Sequence, residues 1–258
     1  MSRFTSLPFM VSYAQNAEDV VLRRAFRGEC GYYVDVGACY PVEGSLTKHF
    51  YDKGWSGINI EPQPHLHQLL VAERTRDVNL QLAIGSRPGD APLTTYPGDA
   101  PLGTISHDVV REHQRHGWPS TTISVEVVRL ESVLKRYVKQ SIDFLKIDVE
   151  GSESDVLESF DLTQWRPRAL VIEATFPRTP QPTYPAWEHY MSRAGYVRTL
   201  FDGLNCFYAQ SDDAELVELL STPANVFDQF VPYRFWRLLD AKSKRALMNE
   251  ARLHEPRS

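Results

Sequence analysis

Tyr32-Tyr33-Val34-Asp35-Val36-Gly37-Ala38 sets the reading of this 258-residue chain, because a short apolar run reaches an acid and passes at once into a glycine turn. Parallel strands end this way where a nucleoside-bearing ligand lies against the backbone at the carboxyl edge of a sheet. Glycine removes the Cβ that would block the approach. A second strand-like run, Gly57-Ile58-Asn59-Ile60, ends in Glu61, an acid placed to accept both hydroxyls of a ribose. The pair points to an adenosine-type cofactor. A dinucleotide fold needs Gly-x-Gly-x-x-Gly so that a helix N-terminus meets the pyrophosphate, whereas Gly37 is followed by Ala38-Cys39-Tyr40-Pro41-Val42-Glu43-Gly44. That disfavours NAD and FAD, and the lack of any Gly-x-x-x-x-Gly-Lys-Ser/Thr run disfavours an ATP or GTP loop. S-adenosylmethionine, an adenosine without a phosphate, remains.

Outward from this stretch the chain alternates. Strand candidates fall at 32–36, 57–60, 79–84, 123–128, 143–148, 169–174, 196–201 and 205–209, with amphipathic stretches at 64–74, 106–116, 131–139, 153–160 and 185–194 between most of them. Such a rhythm predicts an α/β fold, a doubly wound and mostly parallel sheet with helices on both faces. A lead-in helix is expected over 16–26, capped by Asn16. Residues 85–101 and 176–185 are dense in Gly, Pro, Ser and Asp and read as loops. The second loop leaves the sheet's carboxyl edge and is expected to wall a substrate site, or simply to connect. Asp202-Gly203-Leu204-Asn205 reads as a hairpin turn. From Ser211 the pattern changes, so a catalytic domain over 1–210 and an aromatic C-terminal extension over 211–258 are expected. The extension would pack back on the core or mediate association, as a homodimer or with a glycosyltransferase.

Composition bounds the function. Apolar residues make up 42% and charged residues 24%, ordinary for a chain with a real core, and the net charge of −5 gives no basic field to attract nucleic acid. Cys30, Cys39 and Cys206 neither pair evenly nor show zinc spacing, which fits reduced thiols and a cytoplasmic location. Neither a cleavable leader nor a membrane span is expected from the sequence.

Val34-Asp35-Val36-Gly37-Ala38, Ser45-Leu46-Thr47-Lys48-His49-Phe50, Gly54-Trp55-Ser56-Gly57-Ile58-Asn59-Ile60-Glu61-Pro62 and Phe144-Leu145-Lys146-Ile147-Asp148-Val149-Glu150-Gly151-Ser152-Glu153 occur in this order. Together they resemble the successive motifs of FkbM-type methyltransferases, over roughly residues 12–209. The resemblance implies a class I methyltransferase (Rossmann-like) fold with a seven-stranded sheet, S-adenosylmethionine as donor, and often a sugar hydroxyl as acceptor, in a glycan, glycolipid or glycosylated metabolite. Other acceptors, a nitrogen or a carboxylate, stay open, as does a noncatalytic module that kept the fold. Many members of the family continue the first turn with a second glycine, where this chain has Cys39-Tyr40-Pro41.

Methyl transfer to an alcohol needs alignment and the loss of a proton, so a base or an acidifying metal is expected at the strand ends. Asp148 and Glu150 follow one strand, and alternation along it would turn them to the same face with Lys146. Glu173 ends the neighbouring strand. These carboxylates are candidates for base catalysis (Asp148, Glu150), for holding Mg²⁺ (Asp148 with Glu173) or for binding the cofactor's cationic end, or they cap the helix begun by Gly151-Ser152-Glu153. His49 is the histidine to consider as a base. His107, His113 and His116 read as a solvated helix face, since no His-Glu-x-x-His arrangement is present. For the donor the candidates are Asp35, Gly37, Glu61 and Ser45, with Ala38, Pro62 and Ala83 beside them. The resemblance adds Tyr13, Gln15 and Asn16 over its amino-acid end. For the acceptor the resemblance adds Asn205, on the 202–205 turn, and the 176–185 loop offers Tyr184.

Overall fold

The computed structural model describes residues 9–28 and 30–253. Its strands are β1 (Met10–Ser12), β2 (Tyr32–Val36), β3 (Ser56–Ile60), β4 (Val78–Leu80), β5 (Ala83–Ile84), β6 (Gly89–Tyr96), β7 (Asp99–Thr104), β8 (Thr121–Val128), β9 (Phe144–Ile147), β10 (Ala169–Glu173), β11 (Tyr196–Phe201), β12 (Asn205–Gln210) and β13 (Phe230–Pro232). Seven of them form the main sheet, in the order β4-β3-β2-β9-β10-β12-β11. The sheet is mixed. β2 pairs in parallel with β3 and β9, as do β3 with β4 and β9 with β10, whereas β12 runs antiparallel to both β10 and β11. The order reverses at β2, so the chain leaves β2 and β9 side by side at a switch point, where open α/β sheets bind ligands.

Every residue of β2 is buried, as expected of a central strand covered on both faces. Alternation divides its side chains between two cores. Tyr32, Val34 and Val36 face a cluster that includes Ile58, Ile147, Ile172 and Trp187. Tyr33 faces the other, with Phe26, Phe50, Trp55, Phe144 and Phe207. The second cluster is a knot of rings, with centroids 4.9 Å apart for Phe50 and Phe144 and 5.0 Å for Phe50 and Trp55. The lead-in helix (Glu18–Ala25) covers this face through Val21 and Leu22.

Three expectations are corrected. Residues 85–101 are not one loop: β6 and β7 form a hairpin around Gly98 (φ 81°), and β6 pairs with β8 from Gly89↔Val127 to Thr95↔Thr121. The pairing of β7 with β6 begins at Thr94, so Pro92 breaks no bond on that side. The candidate strands at 79–84 and 123–128 therefore do not both extend the main sheet. The first splits between β4 and β5, and the second, β8, belongs with β5, β6 and β7 in a separate four-stranded sheet. Finally, Asn16 does not cap the lead-in helix. Ala17 occupies that position at φ 63° with no side-chain cap, and Glu18 in the first turn accepts the Asn16 N–H at 2.8 Å.

The other helices fall as read, at Pro64–Glu73, His107–Arg115, Leu130–Tyr137 and Glu153–Glu158, with 185–194 divided between a 3-10 turn, Tyr184–Ala186, and a helix, Glu188–Arg193. After β12 a helix, Ala214–Leu219, capped by Asp213, buries Leu216. β13 then returns beside β1 in parallel, Met10↔Phe230 to Ser12↔Pro232. Arg24 fastens the return through Asp228 at 2.6 Å. Not all of the aromatic extension is covered, since Phe227 is 91% exposed. No helix among the described residues is long and apolar enough to cross a membrane.

Candidate active site

A cleft of about 1080 Å³ opens at the switch point, over the carboxyl ends of β2, β3, β9 and β10. Gly37, Glu61 and Asp148 line its sheet side, residues 12–17 and the pair Phe230 and Tyr233 cover it from the two chain ends, and Leu102 and Gly103 border it from the hairpin. Asp19, buried beneath residues 12–14, accepts the Ser12 hydroxyl (2.6 Å) and the Tyr13 N–H (2.8 Å) and so pins that segment across the cleft. Tyr13 packs against Tyr233, ring centroids 5.0 Å apart and planes tilted by 33°.

Gly37 is needed for a reason other than ligand approach alone. At φ 81° an added Cβ would lie 1.7 Å from the Asp148 carbonyl oxygen, so this glycine lets the ends of β2 and β9 close on each other. Its N–H and that of Ala38 both donate to the Ile60 carbonyl at 3.0 Å. The turn then passes through Cys39, also left-handed at φ 53°. Glu61 holds it from below: one carboxylate oxygen accepts the Cys39 N–H at 3.0 Å and the other the Gln63 N–H at 2.8 Å. Burial pushes the Glu61 carboxyl up to about 7 despite these two donors. Burial and the Glu61 charge push the Cys39 thiol up to about 12, so it is no nucleophile at neutral pH.

Opposite Glu61 stands an acidic group. One carboxylate oxygen each from Asp148, Glu150 and Glu173 lies within 4.8 Å of the others. Adjacent strands in register, Ile147↔Ile172, bring Asp148 and Glu173 together. Glu150 arrives differently from the expected alternation, because β9 ends at Ile147 and the chain turns through Glu150 at φ 55° and Gly151 at φ 95°. The Thr104 hydroxyl, donating to the Glu150 carbonyl at 2.7 Å, fixes that turn. Non-glycine residues held left-handed store strain that packing must sustain, and such positions gather at functional sites. Burial, then the Asp148 charge, raises both the Glu150 and Glu173 carboxyls well above the usual range. Glu153, the first residue of the following helix, accepts the Val149 and Gly151 N–H groups and so braces the turn.

Lys146 bridges the floor. Its ammonium lies 3.3 Å from Asp35, its cross-strand partner on β2, and 3.3 Å from Asp148, and it donates to the Gly37 carbonyl at 2.6 Å. Burial disfavours the charge, but Asp148 and Asp35 outweigh it and hold the ammonium well above its usual range.

Of the residues singled out in the sequence, Tyr13, Gln15, Asn16, Gly37, Glu61, Pro62, Ala83, Asp148, Glu150 and Glu173 line this cleft. Six others do not. Asp35, 1% exposed, lies under the floor with Lys146 and Thr47. Ala38 is buried within the turn. The Ser45 hydroxyl accepts from the buried Arg74 guanidinium at 2.6 Å. His49 packs edge-on to Phe50 at 5.4 Å, and burial, then Lys53 and Arg23, push it down to about 4. Asn205 donates to the buried Glu18 carboxylate at 2.8 Å, bracing the lead-in helix. Tyr184 packs on Phe201 and lies under the Arg198 guanidinium. Of the loop it belongs to, Arg178, Thr179 and Pro180 do reach the cleft, as does Thr175 just before it. His113 is not solvated: it is buried, stacked on Trp118 at 4.4 Å.

The tail residues Phe230, Pro232, Tyr233 and Arg234 also line the cleft, a placement that no pattern in the sequence points to. The aromatic density of 226–236 signalled burial against something, but only the β1–β13 pairing says against what.

Comparison with known proteins converges on one description. The model of the methyltransferase FkbM domain matches residues 35–198. Methyltransferase sdnD of Sordaria araneosa is 31% identical over 186 residues, 60% of this chain and 70% of that protein.

Proposed function

This chain belongs to the FkbM methyltransferase domain family, and from that premise we propose that it is an S-adenosylmethionine-dependent O-methyltransferase acting on a sugar hydroxyl. The observation that carries this reading is one cleft with Glu61 on one side and Asp148, Glu150 and Glu173 on the other. Glu61 has both oxygens anchored by backbone N–H groups, and each keeps a lone pair for a ribose hydroxyl. Gln15 and Asn16, exposed on the segment pinned by Asp19, offer partners for the donor's amino-acid end. When bound, the donor supplies a methyl group on a sulfonium that leaves as a neutral thioether.

The chain's own residues have two tasks. The first is to hold the acceptor oxygen in line with the methyl group in a closed cleft, which the Tyr13–Tyr233 wall supports. The second is to take the hydroxyl proton, and Asp148, at the cleft and steadied by Lys146, is the carboxylate assigned to it. A carboxylate acceptor would have to enter beside a group whose members already repel one another, the Asp148 charge helping to raise Glu150 and Glu173, which favours a hydroxyl. The tyrosines and the roomy cleft support a sugar-sized acceptor.

Calorimetric titration of S-adenosylhomocysteine tests the donor side. Glu61→Ala is expected to weaken binding by ~1–3 kcal/mol, because the ribose hydroxyls lose their acceptor. Unchanged affinity in the variant, or NAD binding as tightly as S-adenosylhomocysteine, would remove this assignment.

A further inference from the structure

Building on the methyl-transfer reading, we infer that Asp148, Glu150 and Glu173 together form a binding site for one hard divalent cation in the cleft. Ligand oxygens ~2.0–2.5 Å from a single ion lie no more than ~5 Å from one another, and one oxygen from each of these three residues falls within 4.8 Å of the others. Geometry is joined by an unmet need. Glu150 is 9% exposed, and one oxygen of its carboxylate and one of Glu173 are buried with no hydrogen-bond partner. Buried carboxylate oxygens left bare are costly, and a protein either protonates them or gives them a cation.

Among the described residues no side chain is hydrogen-bonded to those two oxygens. Lys146 forms ion pairs with Asp148 and Asp35 and with neither glutamate, so four carboxylates share one ammonium. The left-handed turn at Glu150 brings the third carboxylate back over the strand end that carries Asp148. Three carboxylates and no histidine or cysteine make an oxygen-only donor set, which suits Mg²⁺, Mn²⁺ or Ca²⁺ rather than zinc. All three residues line the cleft, so the remaining positions on the ion face the acceptor. There a divalent ion acidifies a bound hydroxyl, which a sugar alcohol needs before it can accept a methyl group.

The test uses the full-length chain, stripped with EDTA and freed of chelator, then titrated with MnCl₂ while the paramagnetic resonance signal of free Mn²⁺ is followed. One saturable site per chain is expected, displaced by MgCl₂. Glu150→Gln and Glu173→Gln, which keep the shape and remove the charge, are each expected to weaken it by about tenfold or more. A wild-type chain with no saturable site overturns the inference, and so does a site that neither substitution changes. Should one variant fail to melt cooperatively, the other and the wild-type stoichiometry still decide. S-adenosylhomocysteine is titrated into the same samples. Donor binding without manganese binding removes the cation site and spares the methyl-transfer reading, while manganese binding without donor binding does the reverse.

Discussion

Replacing Lys146 by Met removes the one ammonium shared by the floor of the cleft while roughly keeping the side chain's length. At 3.3 Å from each of Asp35 and Asp148, each ion pair amounts to about 5 kcal/mol of Coulomb attraction at an effective dielectric of about 20. Most of that offsets desolvation, so the pair's net worth is smaller. Removing one partner is another matter, because Asp35 is 1% exposed and would keep only the Thr47 hydroxyl at 3.2 Å. A loss of about 3–5 kcal/mol is expected at neutral pH, the range for uncovering a buried charge. The pH dependence has a definite sign. Burial already raises the Asp35 carboxyl above its usual range, and removing Lys146 raises it further. A carboxyl whose folded pKa exceeds its unfolded one stabilises the fold below the unfolded pKa, and that contribution is lost as pH rises through the folded pKa. The variant should therefore lie closest to wild type near pH 5 and furthest from it near pH 8. Urea denaturation of Lys146→Met at the two pH values measures this, and adding Asp35→Asn should recover much of the loss. A loss below about 1 kcal/mol at pH 8, or no recovery in the double variant, would refute the buried-charge reasoning.

Three further outcomes follow from the same structure. Gly37→Ala is expected to destabilise the chain by about 2–4 kcal/mol, since its Cβ would strike the Asp148 carbonyl at a positive φ; chemical denaturation measures it. Burial pushes Glu18, Glu61 and Glu153 up to about 7 and Asp19 up to about 6. The folded chain then holds protons that the unfolded chain has released, so the urea midpoint should fall as pH rises from about 5 to about 7. His49→Gln should leave the affinity for S-adenosylhomocysteine unchanged by calorimetry, because His49 packs against Phe50 outside the cleft.

The parts legible in the sequence are those that local chemistry dictates. β2, β3 and β9 announce themselves as apolar runs, and the acids at their ends, Glu61 and Asp148, do reach the cleft. Strand adjacency alone puts Glu173 beside Asp148, and the parallel register brings it there. Where conformation departs from the run of the strand, the reading fails in detail: Glu150 reaches the group through a left-handed turn, not through alternation. The β6–β7 hairpin was obscured because Pro and Gly at 85–101 signal breaks more strongly than Leu93 and Tyr96 signal a strand. Asn205 and Ser45 sit close to the right edge in sequence yet spend their side chains on Glu18 and Arg74, buried partners that no local pattern reveals. The tail lining is illegible for the same reason, since Tyr233 meets Tyr13 across 220 positions of sequence.

The most direct test of methyl transfer to a sugar oxygen is to incubate the purified chain with S-adenosylmethionine carrying a deuterated methyl group and a panel of nucleotide sugars and glycan extracts. Mass spectrometry then locates the label. The heavy methyl is expected on a sugar oxygen, formed by the wild-type chain and reduced by roughly a hundredfold or more in Asp148→Asn. A label found on nitrogen or on a carboxyl group, or equal labelling by Asp148→Asn where chemistry limits the rate, would contradict it.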